Sequence, residues 1–205
     1  ATDTWDIVET EDEDPNNTNN ILTIYKNESI PKTDHTTSGF NREHSWPKSY
    51  GFSNDNSCNY PYTDTHHLFA ADWGYNSSRG NKISDWCFSN CTDYPVDGYS
   101  LLANWADSDS WEVWENRQGD IARAMFYMAV RYEGGTHGIS GCTEPDLILT
   151  DDALLIVSDT STNYSPAYMG LLTTLLEWHA ADPVDTREQR RNHIIYGYQG
   201  NRNPF

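Results

Sequence analysis

Glu43 and His44 stand side by side in GFNREHSWPKSYGF, residues 39–52, and their side chains do complementary chemistry. A carboxylate offers a hard oxygen to a hard cation, and a neutral imidazole, with an ordinary pKa near ~6.5, takes up a proton at neutral pH. Together they would activate water beside a metal ion. Adjacent residues on a regular strand point to opposite faces, so both serve one site only at a strand end, a bulge or a twist. Pro47 fits a strand end, because it cannot donate to a sheet ladder. A Glu-His pair also arises by chance and carries little alone. The run TDTHHLFAADWGYNSSRGN, residues 63–81, adds His66, His67, Asn76 and Arg79. A helix starting near Ala70 sets Asn76 and Arg79 three apart on one face, presenting an amide oxygen and a guanidinium together. His66 and His67 would point to opposite faces of an extended stretch. One of them would support the site by a hydrogen bond from behind, although packing or surface roles suit them equally.

The elements that must position these groups follow from the pattern around them. Residues 5–14 begin as a short helix or turn, and Pro15 with its flanking asparagines breaks regular structure over 12–20. ILTIY (21–25) alternates as a strand leading towards the site. Gly51–Tyr62 reads as a loop, and DTHHLF returns as a short extended stretch, giving the order strand, loop, short strand, helix. Residues 81–111 read as irregular, with loops pinned by Cys87 and Cys91. From Asp120, the expected cap, Ile121, Ala124, Met125, Met128, Ala129 and Tyr132 recur at helical spacing until Gly134 and Gly135. Ser165 and Pro166 would open a helix bearing Leu171, Leu172, Leu175, Leu176 and Trp178, ended by Pro183. Thr186 to Gln199 reads as the last helix, stopped by Gly200. Its Arg187, Arg190 and Arg191 are expected to pair with Asp182, Asp185 and Glu188.

Four blocks in a fixed order, NREHSWPKSYG (41–51), DTHHLFAADWGYNSSRGN (64–81), GDIARAMFYMAVRYEG (119–134) and the stretch 175–205, resemble the endonuclease I group of secreted and periplasmic nucleases. The resemblance runs from about Trp5 to Phe205. Members of that group usually carry further helical sequence before this chain's first residue. The resemblance implies an α+β, mainly helical single domain over 1–205 built around a ββα-metal (His-Me) finger at about 38–85. By it, His44 is the general base, Glu43 and Asn76 are metal ligands, and Arg79 is a phosphate contact in the catalytic set. It implies hydrolysis of DNA, with RNA as a further substrate, to 5′-phosphate ends without strong sequence preference. The metal would be Mg2+, or Mn2+ or Ca2+ in its place, and the enzyme a secreted monomer.

Composition bounds these expectations. The net charge is −18, from thirteen basic and thirty-one acidic residues, which opposes binding to phosphates. Asp3, Asp6, Glu9, Glu11, Asp12, Glu13 and Asp14 concentrate acid at the start with no base among them, while Arg42, Lys48, Arg79 and Lys82 fall in or near the motif blocks, leaving room for a local basic groove. A non-catalytic extracellular protein with the same fold is the competing class. A zinc hydrolase is disfavoured because His66 and His67 are adjacent rather than i,i+4. Cys58, Cys87, Cys91 and Cys142 allow three complete pairings, and two disulfides suit them better than a zinc site. No apolar run approaches the ~20 residues of a membrane span, and a start on Ala rather than Met fits a mature secreted form. Sequons stand at Asn16, Asn27, Asn76, Asn90 and Asn163, of which Asn76 could not carry a glycan and bind metal.

Overall fold

The computed structural model describes residues 3–158 and 166–205. The chain opens with helix α1 (Thr4–Glu11), which begins where it does because Asp3 Oδ1 accepts from the amides of Trp5 (2.7 Å) and Asp6 (3.2 Å), while Asp6 reaches back to the Asp3 amide. A hairpin of β1 (Glu13–Asp14) and β2 (Asn17–Leu22) follows, and β3 (Ser29–Pro31) adds to it antiparallel. The Asp/Asn-rich stretch is therefore a hairpin and not a break. Its turn is fixed by Asp14 Oδ1, which accepts from the Asn16 amide at 2.8 Å. The expected strand over 21–25 ends at Leu22, but Ile24 still donates its amide to Ala70 O (2.8 Å), and Tyr25 is delivered to the site.

The ββα unit comes next. β4 (Phe40–His44) pairs antiparallel with β5 (Leu68–Asp72), with Glu43 opposite Phe69 and His44 opposite Leu68. Helix α2 (Trp73–Arg79) begins at once, because Asp72 Oδ1 caps it by accepting from the Tyr75 amide at 2.9 Å. The helix thus starts three residues later than expected, Ala70 being the centre of a strand. The loop between the strands carries a short 3₁₀ turn, Tyr60–Thr63.

Residues 81–111 depart most from expectation. β6 (Ile83–Ser84), β7 (Thr92–Val96), β8 (Tyr99–Ala106) and β9 (Ser110–Glu112) form a four-stranded sheet in the order β6-β9-β8-β7. Its strands are short and half-exposed, so they lack the alternation that marks a strand in sequence. Trp111 and the following Trp114 are buried beneath it. The long helix α3 (Gln118–Arg131) runs through the main core, where Ile121, Met125 and Met128 are buried. Asp120 is not its cap but lies buried inside the first turn, 3.8 Å from Arg117. β10 (Leu147–Leu149) pairs parallel with β11 (Ala167–Met169), so Pro166 precedes a strand, and helix α4 (Leu172–Ala181) begins only after it. Ser165 and the sequon at Asn163 lie outside the described residues. Helix α5 (Thr186–Gln199) has the expected bounds and ends on Gly200, whose φ of +78° is the left-handed conformation glycine adopts without penalty. The fold is α+β as expected, at 32% helix and 25% strand. The cysteines pair as Cys58–Cys142 and Cys87–Cys91.

The arginines of α5 do not pair with Asp182, Asp185 and Glu188. Arg191 is buried, with Nε 2.8 Å from Asp12 Oδ1 and Nη2 on Glu11 Oε1 and the carbonyls of Thr65 and Leu68. Arg190 pairs with Glu13 at 3.1 Å, and Arg187 donates to Leu22 O at 2.8 Å. Helix α3 supplies the cations for the other acids: Arg123 pairs with Glu188 (2.6 Å), and Arg117, just before the helix, with Asp185 (2.9 Å). The acidic amino-terminal run is thus partly an ion-pair partner of α5 and not only a solvated face. Removing one member of a buried pair leaves the other uncompensated, at a cost of about 3–5 kcal/mol. Arg191→Met should lower the free energy of urea unfolding by an amount in that range, and a loss below about 1 kcal/mol would show the pair to be dispensable.

Candidate active site

β4 solves the problem that adjacent residues pose, because His44 is its last residue. Glu43 is 2% exposed and still in the ladder, while His44 is half-buried where the strand ends. Glu43, His44, Asn76 and Arg79 all line one cleft of about 340 Å³, together with Trp5, Asn41, Arg42, Lys48 and Tyr62. A larger groove of about 590 Å³ is lined by Trp86, Trp105, Glu112, Glu115 and Asp182 and contains no histidine or cation, so side-chain chemistry and not volume identifies the site.

The histidine is held in one tautomer. His44 Nε2 lies 3.0 Å from Tyr62 O, a carbonyl of the 3₁₀ turn. A carbonyl only accepts, so Nε2 carries the hydrogen, and Nδ1 of the neutral ring is left with its lone pair. Burial, then the neighbouring His67, pushes the His44 pKa well below the ordinary value and keeps the ring neutral. His67 braces the same turn, with Nε2 2.7 Å from Pro61 O and its ring 5.3 Å edge-on from that of His44. Burial lowers His67 to about 4. His66 sits apart, with Nε2 3.2 Å from Asn201 O. Both histidines lie in a turn before β5 rather than in an extended stretch, and each spends a ring nitrogen on a carbonyl.

The oxygens that would face a cation are oriented as firmly. Glu43 Oε1 accepts from the Tyr25 hydroxyl at 2.7 Å and lies 3.3 Å from Arg79 Nη1. Its Oε2 accepts no hydrogen bond among the described residues. Burial raises the Glu43 pKa, with Arg79 and Tyr25 opposing it. Asn76 donates Nδ2 to Asn41 Oδ1, leaving its own oxygen free. Asn41 escaped the sequence reading, although it stands two residues before Glu43 and so shares its face of β4. Among the described residues no three His, Cys, Asp or Glu side chains gather as a metal-binding group. A cation here would take its protein ligands from the oxygens of Glu43 and Asn76 and complete its shell with water, which suits Mg2+ better than a soft metal.

Arg79 shares the α2 face with Asn76, as its spacing predicts, but is only 1% exposed. Its Nη2 donates to Ser45 O at 2.7 Å, and its Nη1 to Gly80 O at 3.1 Å and His44 O at 3.4 Å. These bonds clasp the end of β4, while Nε has no hydrogen-bond partner among the described residues.

The sequence pattern of the endonuclease I family matches residues 1–205 of this chain. An extracellular ribonuclease of Bacillus amyloliquefaciens is 44% identical over 204 residues, covering 98% of this chain and 63% of that protein. An extracellular ribonuclease of Bacillus subtilis (strain 168) is 43% identical over 205 residues, with the same coverage of each. The chain therefore spans just under two thirds of the length of these relatives.

His67 yields a sign that can be tested. Its folded pKa is depressed, so between pH 6.5 and about 4 the unfolded chain binds a proton that the folded chain refuses. That contribution to stability is complete above pH 6.5 and is lost as pH falls through this window. Urea unfolding across a pH series should show a shallower loss of stability for His67→Gln than for the parent, and parallel curves would mean that His67 is not held neutral.

Proposed function

The chain belongs to the endonuclease I family, and on that premise we propose that it is a secreted, metal-dependent endonuclease hydrolysing phosphodiester bonds in RNA and DNA without strong sequence preference. The observation that carries this reading is the His44 tautomer: a neutral ring with its Nδ1 lone pair unspent, in the cleft that also holds the oxygens of Glu43 and Asn76. His44 Nδ1 takes the proton from the attacking water as its oxygen approaches phosphorus. Glu43 and Asn76 would hold the metal, which would supply stabilisation of charge on the phosphate and the departing 3′ oxygen. Asn41 fixes the Asn76 amide, Tyr25 fixes the Glu43 carboxylate, and Arg79 acts as a positioning residue for the strand end.

Because water is the nucleophile, the ribose 2′-hydroxyl is not needed, and RNA and DNA both qualify. The Bacillus relatives are named ribonucleases, which favours including RNA. Their description as extracellular and the two disulfides in this chain favour an oxidising compartment.

Paired RNA and DNA oligonucleotides of one sequence test the proposal. The expected outcome is cleavage of both to 5′-phosphate ends, abolished by EDTA, with His44→Ala slower by at least ~10²-fold and Asn76→Ala requiring more metal. Cleavage of RNA alone to cyclic phosphates, or an unimpaired His44→Ala, contradicts the mechanism.

A further inference from the structure

The net charge of −18 leaves one question that the catalytic residues do not answer: which groups receive the polyanion. Nine of the thirteen Lys and Arg residues are paired with carboxylates. Among the described residues Arg42, Lys48, Lys82 and Arg202 make no such pair. Two of these four, Arg42 and Lys48, line the Glu43/His44 cleft. Arg79, the cation that the resemblance nominates, is buried and already bonded to carbonyls and to Glu43.

Both of these cleft cations lie over an aromatic ring, as Arg202 does over Tyr196 outside the cleft. Lys48 Nζ lies 5.0 Å over the Tyr62 ring and 3.3 Å from its hydroxyl, and the Arg42 guanidinium lies 4.5 Å over the Trp5 ring while donating to Thr4 Oγ1. A ring or a hydroxyl fixes a cation without cancelling its charge, whereas a carboxylate would neutralise it. Trp5 and Tyr62 also line the cleft, so each ring holds its cation at the cleft wall. The platforms come from separate parts of the chain, α1 for Trp5 and the 3₁₀ turn for Tyr62. The second also supplies the carbonyl that orients His44.

We propose that Lys48 on Tyr62 and Arg42 on Trp5 are two phosphate-binding positions for the nucleic-acid backbone flanking the bond to be cut. This rests on the nuclease reading above and names the residues that bind its substrate. Two contacts on an otherwise acidic body make a short electrostatic footprint. Each neutralised phosphate of a single strand contributes about −0.7 to the slope of log affinity against log salt, so two give about −1.4. Long tracts of backbone gain nothing further, since among the described residues no other unpaired cation lines the cleft.

The test is a salt titration of binding to a fluorescent single-stranded oligonucleotide, without divalent ions and in the His44→Ala background so that the probe is not cut. The background should bind with a slope of about −1.4, and Lys48→Met and Arg42→Met should each reduce it by about 0.7, alike for probes of different sequence. Lys48→Arg should restore the slope, and Arg202→Met, an unpaired cation outside the cleft, should leave it unchanged. Lys48 is exposed, so its replacement leaves the fold intact and keeps the result readable even where Arg42→Met does not fold. Binding whose slope and affinity survive both substitutions overturns the assignment while leaving the nuclease reading standing. A background protein that binds no oligonucleotide at low salt takes both down.

Discussion

The buried contact of Arg191 with Glu11 and Asp12 joins three parts of the chain that are remote in sequence. Arg191 comes from α5, the acids from the end of α1, and the carbonyls of Thr65 and Leu68 from the approach to β5. Asp12 completes the link by accepting the Ala70 amide at 2.7 Å in the middle of β5. One guanidinium with its fixed fork of donors thereby sets the depth of the strand that pairs with β4. Burial above all, with Asp12 and Asp64 adding to it, pushes Glu11 well above the usual carboxylate range while Arg191 opposes, so the contact is a place where desolvation and attraction compete. A buried charge cluster of this kind specifies geometry more than it adds stability, and here the geometry it specifies is that of the ββα unit.

A second constraint holds the turn that orients His44. The carboxylate of Asp64, just after the 3₁₀ turn, accepts from the hydroxyls of Tyr127 (2.7 Å) and Tyr132 (2.8 Å), from Gln199 (3.0 Å) and from the His66 amide (3.0 Å). Burial works to raise its pKa, but His66 and the Gln199 and Tyr127 hydrogen bonds outweigh it and hold Asp64 below the ordinary value. The turn is thus fastened to α3 and α5, while the disulfide from Cys58 to Cys142 ties the preceding loop to the segment after α3. The geometry of the candidate site is consequently not local to β4. It draws on α3 and α5 through hydrogen bonds to a turn, and the turn then offers its spare carbonyls to His44 and His67.

Much of this was legible before folding. The strand, loop, strand and helix order, the gathering of His44, Glu43, Asn76 and Arg79 at one cleft, and the bounds of α5 all followed from spacing, from capping residues or from the resemblance in four blocks. The four-stranded sheet did not, because its strands are exposed on one side and carry Asp, Ser and Pro where alternation would show. Nor did the partners of the α5 arginines: sequence proximity nominated Asp182, Asp185 and Glu188, whereas helix packing brought in acids some 180 positions away.

The sequence set a carboxylate and an imidazole side by side, and its resemblance to a family joined to them an amide from a separate block, a set that a metal with hard oxygen ligands would suit. Tertiary structure decided which atoms of those groups are available. Tyr62 O leaves Nδ1 of His44 unspent, Asn41 leaves the oxygen of Asn76, and Tyr25 with Arg79 occupies one oxygen of Glu43. It also buried Arg79 among carbonyls and left Lys48 and Arg42 on aromatic rings at the cleft. The reason is that a side chain's type fixes what bonds it can make, while only the packed chain fixes which of those bonds are already made.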